Sequence, residues 1–423
     1  MGQVFVKSKK AELSLFFFID ALGWEVYKNN SFFLKGLVKD AKRLRTILGY
    51  SSACDPSIIS GLLPYQHLHW SSFYYSPETC PYRWVKYLNF LPSRITKYQR
   101  VRNKLSQIIK KIHRFTGYFQ IYQVPFKYLP YFDYAEKYSI WVKDGLSRGS
   151  TIFDEMIKAG VPYYVDDSAK ADGDKLEDLR NSIENQEIRL AYCLLGKLDA
   201  VMHMKGTRHA DVHDLMKWYD KELRQTIAVA EENYEKVNFF VFTDHGMHNV
   251  EQTFDLQKKI ESLGFEYGKD YVAVYDSTMG RFWFQNEKAR SVIQACLTEL
   301  SCGRIVPDEE LEDLGVYFAD HMYGETIFLM HSNWLIIPSF MGLKPIPGMH
   351  GYHPDDPDSY ASICSNMVLP ENLDSIEQIY WLMLNELGLP IPKHEHIPGF
   401  VPRSDIKALW PKETTSPLKG KTL

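Results

Sequence analysis

The run Phe239-Phe240-Val241-Phe242-Thr243-Asp244-His245-Gly246-Met247 constrains the fold of this chain more than any other segment. A short, apolar, β-prone stretch stops at an Asp-His pair followed by Gly. Unbroken apolarity suits a parallel strand covered on both faces. The carboxyl end of such a strand opens on the crevice where α/β sheets place their ligands. Leu13 to Ile19 has the same character and ends in Asp20, with Ala21-Leu22-Gly23-Trp24 completing the turn. Together the two segments predict an α/β fold with a mostly parallel central sheet and helices on both faces.

The remaining periodicities fill in this frame. Helices are predicted over 32–45, 51–61, 152–159, 183–198, 212–234, 287–300 and 375–387, and a short strand over 46–50. Between 254 and 339 the pattern shifts to strand-like pieces, Tyr271 to Tyr275, Gly280 to Phe284, Thr326 to Met330 and Trp334 to Pro338, flanking a helix. That stretch reads as a small α/β cap inserted into a core formed by 1–253 and 340–410. An insertion rich in Tyr, Arg and Lys occupies about 80–150, and 411–423 is a polar tail.

Bulk properties narrow the function. With a net charge of −4, no polycationic surface is expected for nucleic acid or anionic lipid. No apolar run reaches the length of a membrane-spanning helix, so no membrane insertion is expected. Leu13 to Ile19 is too short, and too abruptly ended by Asp20, for a secretion signal. The six cysteines (Cys54, Cys80, Cys193, Cys296, Cys302, Cys364) form no CxxC pair, and reduced thiols in a cytoplasmic protein are the simplest expectation. Oligomeric state has no sequence signal.

Seven positions carry metal-ligand chemistry in one order: Asp20, Ser51, Asp199, His203, Asp244, His245 and His350. Two closely spaced divalent cations need about that many O and N donors, with a position left for substrate. Asp199 and His203 are spaced i, i+4, one helical face. His350 lies in Gly348-Met349-His350-Gly351-Tyr352, where glycines free the backbone to bring an imidazole inward. Ser51 follows a short apolar piece at a helix start, where free N–H groups and the helix dipole suit a phosphoryl group. Each has a bland alternative: a turn or N-cap Asp at Asp20, an N-capping Ser51, structural histidines. His209 and His213 form a second i, i+4 pair on a helix that reads as solvent-facing.

With these residues in place, the chain resembles the alkaline phosphatase superfamily, nearest its nucleotide pyrophosphatase/phosphodiesterase branch. The resemblance rests on Asp20, Ser51 to Gly61, Leu198 to His203, Thr243 to Met247 and Gly348 to Tyr352, spanning 13 to 354 in the family's order. In that family the nucleophile stands ten residues before the Gly of a Thr-Gly or Ser-Gly pair; counting back from Ser60-Gly61 gives Ser51. The resemblance implies a dimetal phosphoric-ester hydrolase working through a phosphoseryl intermediate on Ser51. One cation would take Asp199, His203 and His350; the other Asp20, Ser51, Asp244 and His245. Zinc suits this donor set, and manganese or iron also fit it. Cys54-Asp55-Pro56-Ser57-Ile58 lacks the Arg of the sulfatase motif and sits at the wrong offset.

Departures from the family bear on substrate. Ser72 stands where diesterases carry an Asn that binds phosphoryl oxygens, and Tyr75-Ser76-Pro77 replaces a Tyr-Asp-Pro. Ser72 and Tyr75 are thereby the expected substrate-binding residues. The implied partner is a small phosphorylated molecule rather than a nucleic-acid polymer. A phosphomonoesterase, a phosphoryl- or phosphonate-group transferase, and a non-catalytic binder of phosphorylated glycan or lipid precursors are alternatives on the same scaffold.

Overall fold

The computed structural model describes residues 9–166, 169–185 and 187–392; the predicted tail at 411–423 lies outside the described residues. Two sheets organise the chain. Their strands, in chain order, are β1 (Lys10–Ile19), β2 (Asp40–Leu44), β3 (Tyr163–Asp166), β4 (Leu190–Leu195), β5 (Tyr234–Phe242), β6 (Tyr271–Tyr275), β7 (Met279–Phe284), β8 (Gly303–Val306), β9 (Thr326–Met330) and β10 (Ala361–Ser365).

The first sheet has the order β2-β10-β5-β1-β4-β3. Strands β3, β4, β1 and β5 run parallel, and β10 is antiparallel to both β5 and β2. Strand β1 explains the apolar run that begins the chain's core. Phe16 and Phe18 pack on one face with the Ser51–Ser60 and Ile379–Glu386 helices. Leu13, Leu15, Phe17 and Ile19 pack on the other face with the Asp172–Glu184, Lys197–Lys205 and Ala210–Asn233 helices. Alternate residues thus point into two cores, and both must be apolar. The expected doubly covered, mostly parallel sheet is the observed one.

The register matters for function. Phe18 lies opposite Phe242 and Ile19 opposite Leu195. Three neighbouring parallel strands therefore end side by side: β1 runs on to Asp20, β5 to Asp244, and β4 to the helix that carries Asp199.

The second sheet, β6-β7-β9-β8, is antiparallel throughout and falls within the 254–339 stretch. Its apolar face shares one core with the aromatic insertion: Tyr82, Phe119, Phe132 and Tyr134 pack with Tyr271, Tyr275, Phe282 and Phe328. At the junction, fully buried Arg281 pairs with Asp276 at 2.8 Å and donates to the carbonyls of Phe73 and Tyr323. Burying that charge is tolerable because its donors find fixed acceptors.

Several local expectations differ from the structure. Residues 32–45 form turns and then strand β2, because Asp40 to Leu44 finds a partner in β10 and tertiary pairing overrides helix propensity. Residues 46–50 form no strand. The helix predicted over 183–198 lies earlier, at Asp172–Glu184, with Asp172 and Asp174 at its positive end. The apolar run Leu190–Leu195 that follows is strand β4. Strands β3, β8 and β10 carry too little alternation to be read from sequence.

Candidate functional site

All seven predicted positions converge at the carboxyl edge of the first sheet. Ser51 is the first residue of its helix, and Tyr50, in extended conformation, occupies the N-cap. The Ser51 hydroxyl is therefore not used in capping. Its Oγ instead lies 3.3 Å from Nε2 of His245. Ser52 donates its hydroxyl to the carbonyl of Trp70, which leaves Ser51 as the hydroxyl directed to the cluster. Cys54 is fully buried between Thr46 and the Ile47 carbonyl, and burial pushes its thiol well up. It is a packing residue.

Two constricted glycines set the imidazoles. A Cβ on Gly246 would sit 2.0 Å from the carbonyl oxygen of Asp358, and one on Gly348 would sit 2.3 Å from that of Met202. The first permits the tight turn after His245. The second lets the loop bearing His350 lie directly against the helix bearing Asp199 and His203. His245 and His350 stack with ring centroids 3.6 Å apart, and His203 is 5.2 Å from His350.

The donor set fits divalent cations on the evidence of its own lone pairs. Nδ1 of His203 lies 2.8 Å from the Gly348 carbonyl, and Nδ1 of His245 lies 3.0 Å from that of Gly246. A carbonyl only accepts, so each Nδ1 donates and each Nε2 of the neutral ring is left as a lone pair. Those lone pairs face carboxylate oxygens: His203 Nε2 is 3.2 Å from Asp199 Oδ1, and His245 Nε2 is 3.0 Å from Asp244 Oδ2. Acceptor facing acceptor at that distance requires a proton or a metal ion between them. Asp20 Oδ1, Asp199 Oδ1, Asp244 Oδ2 and His350 Nδ1 are all buried without a hydrogen-bond donor.

Electrostatics agree. Burial, then the Asp244 and Asp199 carboxylates, push the Asp20 carboxyl well above its usual range. Burial pulls the His203 and His245 imidazoles down, but the adjacent carboxylates outweigh it and leave both raised. Burial, with His245 and His203 beside it, drives His350 well below the ordinary imidazole range. Three carboxylates gathered without a Lys or Arg among them are the environment of a cation site.

Among the described residues, two groups satisfy metal-ligand spacing: Asp199, His203 and His350, and Asp20, Asp199 and His245. Asp199 belongs to both. The division implied by the resemblance gave it to one cation only, and its carboxylate instead stands between the two groups. Asp244 is adjacent to the second group through His245. His209 and His213 lie apart: His209 caps its own helix, and His213 meets Asn30 at 2.8 Å.

A cavity of about 990 Å³ opens over this edge, lined by Asp20, Ser51, Asp199, His203 and His350 at one end. Ser72 also lines it, but its hydroxyl donates to Glu136 Oε2 at 2.8 Å and is committed there. Tyr75 does not line it. The Tyr75 ring stacks on Trp283 at 5.4 Å, so the geometry gives no support to a substrate-binding role. Asp55, Glu136 and Asp276 line the cavity and were not anticipated from sequence. Asp55 stands one helical turn beyond Ser51, a spacing that was there to be read. No arginine occurs among the described residues of the lining.

The sequence model of the family described as type I phosphodiesterase / nucleotide pyrophosphatase matches residues 19–331. No curated protein matches the chain by sequence. Among solved structures, human ectonucleotide pyrophosphatase/phosphodiesterase 5 is similar with a TM-score of 0.63 at 13% identity, covering 92% of this chain and 96% of that one. Its murine counterpart is similar at 0.62 and 13%, covering 92% and 97%. An inactive murine form in complex with AMP gives 0.63 and 13%, covering 91% and 97%. At such identity the likeness speaks for the fold alone.

Proposed function

The chain belongs to the type I phosphodiesterase / nucleotide pyrophosphatase family, and from that premise we propose that it hydrolyses phosphoric diesters through Ser51. In this reading Asp20, Asp199, His203, Asp244, His245 and His350 hold two divalent cations, with zinc the best match to the mixed imidazole and carboxylate donors. The observation that carries it is the Ser51 hydroxyl, free of any capping duty, facing an Asp-His cluster whose lone pairs confront one another.

The chain's own residues then divide the work. The first turn of the Ser51–Ser60 helix directs backbone N–H groups and its positive dipole end at the cavity, where a phosphoryl group would rest. Ser51 Oγ forms a bond to phosphorus as the bond to the leaving alkoxide breaks; the departing oxygen takes up a proton. Water then cleaves the Oγ–P bond and restores the hydroxyl. When bound, divalent cations supply positive charge to the phosphoryl oxygens and lower the pKa of the attacking hydroxyl. The carbonyls of Gly348 and Gly246 hold the His203 and His245 rings in the orientation this requires.

A diester is favoured over a monoester because, among the described residues, the lining offers no guanidinium to hold a doubly charged phosphate bidentately, its cations being Lys110 and Lys344. The complex of AMP with the murine relative adds nucleotide esters to the compounds worth testing. A reducing, cytoplasmic setting is part of the same proposal, supported by six cysteines that are all buried and free.

The test measures turnover of bis-p-nitrophenyl phosphate, p-nitrophenyl thymidine monophosphate and p-nitrophenyl phosphate, before and after chelation and with zinc restored. Diester turnover that chelation removes and zinc restores is expected. Turnover indifferent to chelation, or confined to the monoester, would overturn the reading.

A further inference from the structure

The chain's net charge of −4 conceals a strongly polarised distribution. Residues 79–132 contain eleven Lys and Arg and no Asp or Glu, so −4 is the sum of +11 here and −15 elsewhere. Nine of these cations are exposed, and among the described residues none enters an ion pair. The same stretch holds seven of the fifteen large apolar side chains that the structure leaves exposed, Phe90 at 80% and Tyr87 at 70% among them.

The Gln99–His113 helix shows how the two features are combined. Its Arg102, Leu105, Ser106 and Ile109 are buried and fix it to the lobe. At 100° per residue, Arg100, Lys104, Ile108, Lys111 and Ile112 share an arc of about 120° that adjoins the buried stripe, with the two isoleucines nearest the stripe and the three cations beyond them. All five are exposed. A face that only had to be soluble would not set two exposed isoleucines beside three cations. A face lying in a lipid headgroup region would, with its cations meeting phosphates and its apolar side chains entering the acyl boundary.

We infer that the surface formed by residues 83–114 docks on a bilayer carrying anionic phospholipid, as a peripheral contact with no segment crossing the membrane. A second copy of the chain is a poor occupant, since a self-complementary contact would set this positive stretch against itself. A nucleic acid would use the cations and could stack on Tyr87, Phe90 or Tyr98. It has no use for Ile108 and Ile112, whose side chains offer neither charge nor ring. The docking face also adjoins the site: Lys110 on this helix and Tyr118 just beyond it line the cavity that holds Ser51.

The test is co-sedimentation of the full chain with vesicles of phosphatidylcholine alone and of phosphatidylcholine mixed with phosphatidylserine, with single-stranded DNA as a soluble competitor. Binding is expected only to the mixed vesicles. Each basic residue near an anionic surface contributes roughly fivefold, so Lys104→Glu with Lys111→Glu should weaken binding at least about tenfold. Ile108→Ser with Ile112→Ser, both at exposed positions, should also weaken it severalfold while leaving ester turnover in solution unchanged. Equal binding to both vesicle types, or none to either, overturns the inference. So does a serine double variant that binds as well as the parent, or binding that DNA displaces completely, since either outcome marks a purely electrostatic site.

Discussion

The Ser51 hydroxyl lies 3.3 Å from Nε2 of His245, although 194 residues separate them in the chain. One follows an irregular segment and begins a helix; the other follows the central strand β5. The sheet edge brings them together, and that contact distinguishes Ser51 from its neighbour. Ser51→Ala is expected to lower kcat/KM for a diester at least about a thousandfold, the scale of losing a nucleophile. Ser52→Ala, whose hydroxyl serves the Trp70 carbonyl, should stay within severalfold. Parallel kinetics on the two variants check this, and comparable losses would defeat the assignment.

Asp199 is the only residue common to both candidate metal groups. Replacing it with Ala should therefore empty the site of both ions, whereas His350→Ala, which touches one group, should leave one ion per chain. Elemental analysis of the purified variants gives the count directly. An Asp199→Ala protein that still holds one tightly bound ion would show the two groups to be independent.

Gly246 holds the turn after His245 and accepts from its Nδ1. A methyl group there meets the Asp358 carbonyl oxygen at 2.0 Å and that of Tyr360 at 3.1 Å, so the backbone must shift. Gly246→Ala is expected to cost about 1–3 kcal/mol of stability, as overpacking usually does. It should also weaken metal binding about tenfold or more by turning the His245 ring away. Thermal denaturation and metal titration report the two effects separately; normal values in both would remove Gly246 from the account.

Several of the candidate metal-ligating positions were legible in the sequence as punctuation: Asp20, Asp244 and His245 stop apolar strands, and His350 stands between glycines, whereas Asp199 and His203, inside a helix, showed only as an i, i+4 pair. The sheet was legible through the second halves of β1 and β5, Leu15 to Ile19 and Phe239 to Phe242, which are apolar on both buried faces. Strand β2 was not, since Asp40-Ala41-Lys42-Arg43-Leu44 owes its extended form to a partner more than 300 residues away. Ser72 and Tyr75 were placed by offset alone. The offset could not show that Ser72 would be bonded to Glu136 or that Tyr75 would stack on Trp283. The positive stretch at 79–132 was hidden by averaging: whole-chain charge adds a basic lobe to an acidic body and reports neither.

Glu136 offers a pH test that does not involve the metal ligands. Burial in the cavity wall raises its carboxyl from 4.5 to about 7, with the Ser72 hydroxyl pulling it part of the way back. A raised acid binds its proton more tightly folded than unfolded. Its contribution is therefore complete below about pH 4.5, declines between 4.5 and 7, and is gone above 7. The amount lost is on the order of 3 kcal/mol at most. Glu136→Gln stays neutral throughout and should lack this component. Measured from pH 4.5 to 7.5, the Tm of the parent should fall relative to that of the variant, most steeply midway between the two values and levelling off above about 7. A Tm difference that stays constant over this range would mean that Glu136 ionises as an ordinary exposed carboxyl and is not buried in the cavity wall in solution.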